Sequence, residues 1–279
     1  MRNVCIVVAT IVLAATAPAA GETPARVAAP SFWDPDLHLE RPDLSGLRAI
    51  RFLTADDYPP LDFALADGTL VGFNVDIARA ICEELHIGCT IQARRWDTLV
   101  DALETGKGDA AIASISGGAA ARAQIDFTQP YYQTPARFAV RKDSPLADAT
   151  PATLAGKTVG VVAGSAHQGY LALFFPAATL KPYPSFAALS EALKAGALDA
   201  AFADGLTLAV WLAGQDSGDC CAFKGGPYAE SRFFGEGVGV AVRKEDGDLR
   251  RAIDWALARL SAKGVYAEIY LKYFPIGFY

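Results

Sequence analysis

The chain has 279 residues, 52% of them hydrophobic and 20% charged, without a low-complexity run. That is the composition of a globular protein long enough for two ordinary domains or one large one. The formal net charge is −6 and no Lys/Arg-rich run is present to neutralise phosphates, which argues against a nucleic-acid partner.

The chain begins MRNVCIVVATIVLAATAPAAGE. Arg2 supplies a positive start, Val4 to Ala15 an apolar core, and Ala17-Pro18-Ala19-Ala20 the small residues of a cleavage site. This pattern predicts a secretory signal peptide over residues 1–20, too short to span a bilayer comfortably. Cys5 stands too near the start, outside a lipoprotein-type cleavage context, to be read as a lipidation site. No later segment approaches about 18 uncharged apolar residues, so the mature chain is expected to be exported and soluble. In an oxidising compartment the remaining cysteines, Cys82, Cys89, Cys220 and Cys221, are disulfide candidates. Cys82 and Cys89 flank a helix end in a loop short enough to close. For the adjacent Cys220 and Cys221, a bridge and two thiols are both open. His38, His86 and His167 lack metal-ligand spacing, so no zinc site is expected, and no other cofactor is implied.

Residues 21–48, rich in Pro, Ala and Asp without a clear period, read as an irregular leader lying on the surface or disordered. Residues 49–54 read as a strand, and ADDYPP (55–60) as a turn. From Asn74, a good N-cap, the period changes: Ala78, Ile81, Cys82 and Leu85 fall at helical spacing, and Gly88 can end that helix. A short strand from Cys89, a helix over 97–105 and a buried strand over 110–113 follow. Alternating strands and helices are the pattern of parallel βαβ units.

An internal repeat supports this. ALETGKGDAAIAS (102–114) matches ALKAGALDAAFAD (192–204) at seven of thirteen positions, offset by 90 residues, and Trp96 and Leu99 pair with Phe186 and Leu189. Alanine-rich helices resemble one another by chance as well. The shared helix, glycine turn and strand favour two similar α/β lobes. In open parallel sheets ligands bind beyond the carboxyl ends of the strands, so Ser114 and Asp204 are expected to face a cleft from opposite lobes.

The second lobe begins near 138–142. Residues 158–162 read as a strand, and Gly164-Ser165-Ala166-His167 as the start of a helix whose exposed backbone N–H groups suit a carboxylate or phosphate. This is neither GxGxxG nor a P-loop, so no nucleotide is implied. Another strand follows at 237–243 and an amphipathic helix from Asp248, whose apolar side reads as core. GxSxG and HExxH are absent, and Ser165 beside His167 is not by itself a hydrolase site. A polar and aromatic cleft between two lobes suits a binding protein more than an enzyme.

The stretch GFNVDIARAIC (72–82) resembles the signature of the family 3 solute-binding proteins, periplasmic receptors for polar amino acids and opines. Asn74 stands where that signature commonly has an acid, while Asp76 keeps its second acid. Further matches are DYPPLDF (57–63), LxxGxxD (103–109), DFTQPYY (126–132), LAGKTVGV (154–161) and KYFP (272–275), so the resemblance runs from about Arg51 to Pro275. It implies an α/β, type II periplasmic binding protein fold. Two lobes, each a mixed, mostly parallel sheet flanked by helices, are joined by two hinge strands and close on the ligand. Lobe 1 would hold 49–136 and 239–279, and lobe 2 would hold 137–238. The spacing of Cys82 and Cys89 resembles the disulfide of histidine and lysine/arginine/ornithine receptors.

Carried over residue by residue, Tyr58 and Trp96 match the aromatics that sandwich the ligand side chain. Ser114 and Ser116 match positions meeting the ligand carboxylate, and Asp204 the acid that holds the α-ammonium. Ser165, Ala166 and His167 match the loop at the second-lobe helix start. The carboxylate-clamping arginine of the family lies six residues before the Phe of the D-F-[ST] motif; here that position is Ala121, and Arg122 lies five before Phe127. The pair Gly117-Gly118 could re-route the loop and bring Arg122 to the ligand. An outward Arg122, with a ligand that is not a standard α-amino acid, is the other reading.

The resemblance implies a monomeric periplasmic receptor that captures a small polar solute, an amino acid or a related compound, for the membrane permease of an ABC importer. Two rivals share the fold: a periplasmic cyclohexadienyl (prephenate/arogenate) dehydratase, and an accessory binding module of a periplasmic dehydrogenase or sensor.

Overall fold

In the computed structural model, which describes residues 29–33, 39–115, 119–274 and 277–279, two five-stranded sheets organise the chain. The first half runs β1 (Ala49–Thr54), a small antiparallel sheet of β2 (Asp57–Tyr58), β3 (Asp62–Ala64) and β4 (Leu70–Val71), then α1 (Phe73–Leu85) and β5 (Gly88–Ala93). A 3-10 turn at Trp96–Thr98 leads into α2 (Leu99–Glu104), followed by β6 (Ala110–Ala111), α3 (Ala119–Gln124) and β7 (Ile125–Phe127). The second half runs β8 (Ala136–Arg141), β9 (Thr158–Val162), α4 (Ala166–Phe174), β10 (Thr179–Tyr183), α5 (Phe186–Lys194), β11 (Ala200–Asp204), α6 (Gly205–Ala213), β12 (Cys221–Tyr228) and α7 (Ser231–Phe234). The chain then returns through β13 (Ala241–Arg243) to α8 (Gly247–Ala262) and α9 (Val265–Tyr273).

The two sheets have matching topology. One is ordered β5-β1-β6-β13-β7 and the other β10-β9-β11-β8-β12. In each, the first three strands are parallel, and the last two are joined by antiparallel pairing. Apolar clusters cover both faces of each sheet, as a buried parallel sheet requires. Leu206 and Ala209 of α6 join the core of the first sheet beside Tyr270, Phe274 and Phe278, so a second-lobe helix packs on the C-terminal helices of the first.

The repeat seen in the sequence is a structural repeat. Each copy is a helix, a glycine at positive φ (Gly106 at 70°, Gly196 at 75°) and a strand. Lys107 N donates to Ala102 O at 2.8 Å, and Ala197 N to Ala192 O at 2.9 Å. The carboxylate of Asp109 accepts the backbone N–H of Arg51 at 2.9 Å, and that of Asp199 accepts the N–H of Thr158 at 2.8 Å. Each aspartate thus ties the start of its own strand to the neighbouring parallel strand, β1 in one sheet and β9 in the other.

The chain crosses between the sheets twice, over 128–135 and 229–240, and the two crossings lie side by side. Thr128 N donates to Val240 O at 2.9 Å, Tyr131 N to Val238 O at 2.9 Å and Val238 N to Tyr132 O at 2.8 Å.

Three local readings are corrected. The helix expected to start on Asn74 is capped by Gly72, and Asn74 is fully buried inside its first turn. Gly72 sits at φ 132°, where an added Cβ would fall 2.3 Å from Leu61 O, so the close approach of two backbones fixes the glycine. The helix ends not at Gly88 but at His86, which takes the left-handed conformation, while Gly88 opens β5. The strand expected at 237–243 is reduced to Ala241–Arg243, because Gly237 to Val240 lie in the crossing.

Cys82 and Cys89 form a disulfide, and so do Cys220 and Cys221. Of the leader, the described part has neither helix nor strand, but Phe32 and Trp33 pack edge-on against Tyr266. The segment 1–20 lies outside the described residues. Among the described residues no helix is long and apolar enough to cross a membrane.

Candidate functional site

Tyr58 lies on β2 and Trp96 at the head of the 3-10 turn; as whole residues they are exposed by 47% and 57%, with the Tyr58 phenol the more covered end of its side chain. An exposed tryptophan whose indole N–H is already bonded, here to Ala113 O at 3.2 Å, presents an oriented apolar face. Ser114 ends the first sheet's contribution at φ 59°, a conformation that turns the chain sharply after β6. Ser116 lies outside the described residues.

From the second sheet, Asp204 ends β11 and caps α6: Oδ1 accepts the Thr207 N–H at 2.8 Å and the Thr207 hydroxyl at 3.0 Å. The cap uses one carboxylate oxygen, and among the described residues Oδ2 makes no hydrogen bond. Ser165 caps α4, accepting the Gln168 N–H at 3.2 Å and donating to Val162 O at 2.7 Å. Two residues on, His167 sits between the tilted ring of Phe234, with centroids 5.1 Å apart, and that of Phe202, edge-on at 5.7 Å. Burial pulls its imidazole below the usual range, against the opposing pull of the Asp204 carboxylate.

Burial is the main influence on the titrating groups around Asp204, and the Asp204 charge is a secondary one. That charge reaches His167 in its own lobe and Tyr58, Tyr132 and Tyr279 of the other. Burial lifts the Tyr58 phenol above its usual range, with the charges of Asp204 and Asp62 adding to the effect. Tyr58, Pro59 and Pro60 face α5 and α6 across a largely apolar cavity of about 490 Å³ whose lining includes Trp211 and Glu191, but not Trp96, Ser114, Ser165, His167 or Asp204.

Arg122 lies on a first-half helix, α3, its side chain 47% exposed, 3.9 Å from Glu236 and with its guanidinium 5.3 Å from the centre of the Phe127 ring.

Beneath Ser114 lies a buried polar group that the sequence reading missed. Asp62 and Asn74 are both fully buried. Asp62 Oδ2 accepts from the Thr54 hydroxyl at 3.0 Å and from Ala55 N at 3.2 Å, while its Oδ1 accepts from Asn74 Nδ2 at 3.2 Å. The same nitrogen donates to Ser114 Oγ at 3.2 Å, and Asn74 Oδ1 accepts from the Tyr131 hydroxyl at 2.7 Å. A sequence signal existed: Asn74 falls on the apolar stripe of Ala78, Ile81 and Leu85, where a polar side chain must find buried partners.

The arrangement suits binding. Ser165 has both its proton and a lone pair engaged by backbone, and His167 is held between rings, so the two do not form a nucleophile–base pair.

Residues 50–276 match the model of the bacterial extracellular solute-binding proteins, family 3. The chain is 36% identical over 243 residues to an L-arginine-binding protein of Pseudomonas aeruginosa, covering 86% of this chain and 93% of the relative. It is 32% identical over 232 residues to a histidine-binding periplasmic protein of Salmonella typhimurium, covering 82% and 89%. A solved Salmonella typhimurium periplasmic binding protein of high arginine specificity superposes with a TM-score of 0.53 at 32% identity, covering 81% of this chain and 99% of that one.

Proposed function

The chain belongs to the family 3 bacterial extracellular solute-binding proteins, and from that premise we propose that it is a periplasmic receptor for a basic L-amino acid, arginine or a close relative, serving an ABC importer. The carrying observation is Asp204. It is an acid at a strand end, with one oxygen left over from its helix cap, and its charge adds to the burial that lifts the Tyr58 phenol. In this reading Asp204 Oδ2 takes the α-ammonium, Tyr58 and Trp96 hold the side chain between their rings, and Ser114, Ser116 and the α4 start with Ser165 and His167 meet the carboxylate. The lobes are 49–136 with 239–279, and 137–238, and they close about the paired crossings. The receptor acts as a monomer and hands its ligand to a membrane permease; its export depends on the segment 1–20.

A ligand bound only by the folded chain raises its melting temperature. A thermal-shift screen against amino acids, polyamines and organic acids is therefore the direct test, with arginine, lysine, ornithine and histidine expected to give the largest shifts. No shift with any amino acid overturns the reading, and conversion of prephenate to phenylpyruvate replaces it with the dehydratase.

A further inference from the structure

Within the buried group under Ser114, the direction of each hydrogen bond can be worked out from its most constrained member. An ionised carboxylate only accepts. Asp62 therefore requires a donor from Asn74, which turns the amide nitrogen toward it and the carbonyl oxygen toward the Tyr131 hydroxyl. Ser114 Oγ lies on the nitrogen side, 3.2 Å away, so it accepts from Asn74. A serine oxygen that accepts keeps its own proton for another partner, and the Tyr132 hydroxyl beside it can fill the second lone pair by donating, or compete with a ligand by accepting. The segment carrying that proton is pinned from three elements: Thr54 of β1 reaches Ile112 O at 2.7 Å, Trp96 reaches Ala113 O at 3.2 Å, and Asn74 of α1 reaches Ser114.

We propose that Asn74, oriented by Asp62, is a positioning residue that reserves the Ser114 hydroxyl proton for an acceptor on the ligand, so that Ser114 donates to the ligand carboxylate. The inference rests on the reading of Ser114 as part of the ligand site and adds the groups that set its polarity. An acid at position 74 gives the opposite result: an aspartate accepts the Ser114 proton and leaves the hydroxyl with only lone pairs for the ligand. Asparagine at 74 with aspartate at 62 is thus a specificity device for an anionic ligand group.

The test exchanges the two residues. The double variant Asp62→Asn/Asn74→Asp keeps one carboxylate and one amide in the same volume but directs the Ser114 proton toward position 74. It is titrated calorimetrically against L-arginine and against agmatine, which lacks the carboxylate, alongside Ser114→Ala and the triple combination. The exchange and Ser114→Ala are each expected to weaken arginine about tenfold, the worth of one hydrogen bond to a charged group. The triple variant should lose no more than either, because residues acting through one bond are not additive. Agmatine affinity should not change in any of them.

An exchange variant that binds arginine as the parent does, additive losses, or equal losses for agmatine each overturn the proposal. If the exchange variant does not fold, Ser114→Ala decides alone: unchanged arginine affinity overturns the proposal, and a loss confined to arginine supports it. A parent protein that binds neither arginine nor any other amino acid removes the reading beneath the proposal and the proposal with it, an outcome distinct from all of these.

Discussion

The Arg122 guanidinium lies 3.9 Å from the Glu236 carboxylate, linking a first-lobe helix to the segment by which the chain returns from the second lobe. A carboxylate on this arginine competes with one on a ligand for the same charge. Because both side chains are exposed, the competition is weak. Glu236→Gln is expected to tighten a carboxylate ligand about two- to fivefold at low salt, with the gain fading as ionic strength rises. Arg122→Ala should weaken it by about 2 kcal/mol if the guanidinium reaches the bound carboxylate. Calorimetric titration at two salt concentrations reads both, and unchanged affinity in Arg122→Ala removes the residue from the site.

Asp204 combines a cap with a charge, and two substitutions separate them. Asparagine caps helices as well as aspartate does, so Asp204→Asn should leave the melting temperature near that of the parent while weakening ligands that carry an α-ammonium. Asp204→Ala should lose both, with about 1 kcal/mol of stability gone with the cap. Titration with arginine and with its analogue lacking the α-amino group checks the assignment: equal losses for the two ligands would show that Asp204 does not hold the ammonium.

Burial pushes the Asp62 carboxyl up to about 6, against the hydrogen bonds from Thr54, Ala55 and Asn74, and the charge of Asp57 pushes the same way. The hydroxyls facing it are those of Tyr58, Tyr131 and Tyr132, and among the described residues no Lys or Arg pairs with it. The geometry accommodates the proton. Thr54 has one hydroxyl hydrogen and two acceptors, Ile112 O at 2.7 Å and Asp62 Oδ2 at 3.0 Å, so a protonated Asp62 can donate to Thr54 while Thr54 donates to Ile112. The folded chain then holds this proton up to about pH 6, whereas the unfolded chain releases it near 3.8. Between those values the folded state binds more protons, so stability falls as pH rises, by on the order of 2–3 kcal/mol from this group. Asp254, also raised to about 6 by burial, acts with the same sign. Asp76 and Asp109, held low by Lys272 and Arg51, act with the opposite sign at more acid pH. Denaturant unfolding across pH 4 to 7 should show the decline, and Asp62→Asn should flatten part of it; a parent curve that rises through this range contradicts the assignment.

The two disulfides differ in what they enclose. Cys82–Cys89 closes a loop of sequence separation 7, whereas Cys220–Cys221 closes none. Restricting the unfolded chain is the main way a disulfide stabilises, and for the first loop this is about 2 kcal/mol. Cys82→Ala/Cys89→Ala should lower the melting temperature clearly, and Cys220→Ser/Cys221→Ser should barely move it. A larger drop in the second variant than in the first refutes this ranking.

Much of the fold could be read from the sequence because it is written in periodicity. The helix–glycine–strand unit around Gly106 and Gly196 repeats with enough identity to suggest two lobes, and DYPPLDF, GFNVDIARAIC and DFTQPYY carry the resemblance that implied the rest of the fold. The failures have a common physical cause. Asn74 looks like a cap to any local rule, yet the backbone approach at Gly72 starts the helix earlier and draws Asn74 inside, where its partners come from residues 12, 40 and 57 positions away. Asp62 was passed over for the same reason, since its donors Thr54 and Asn74 lie on two other elements. Arg122 could be placed near the motif by counting, but its neighbour Glu236 is distant in sequence, and no local rule gives the direction of an exposed guanidinium.

The twin aspartates give this molecule an internal control. Asp109 and Asp199 perform the same backbone task in separate lobes, one also paired with Arg51 and Arg243, the other with Lys157 at 3.9 Å. Neutralising them one at a time compares a strong ionic setting with a weak one inside a single polypeptide, with sequence background, solvent and temperature held constant. Few chains allow one interaction to be weighed against its own duplicate.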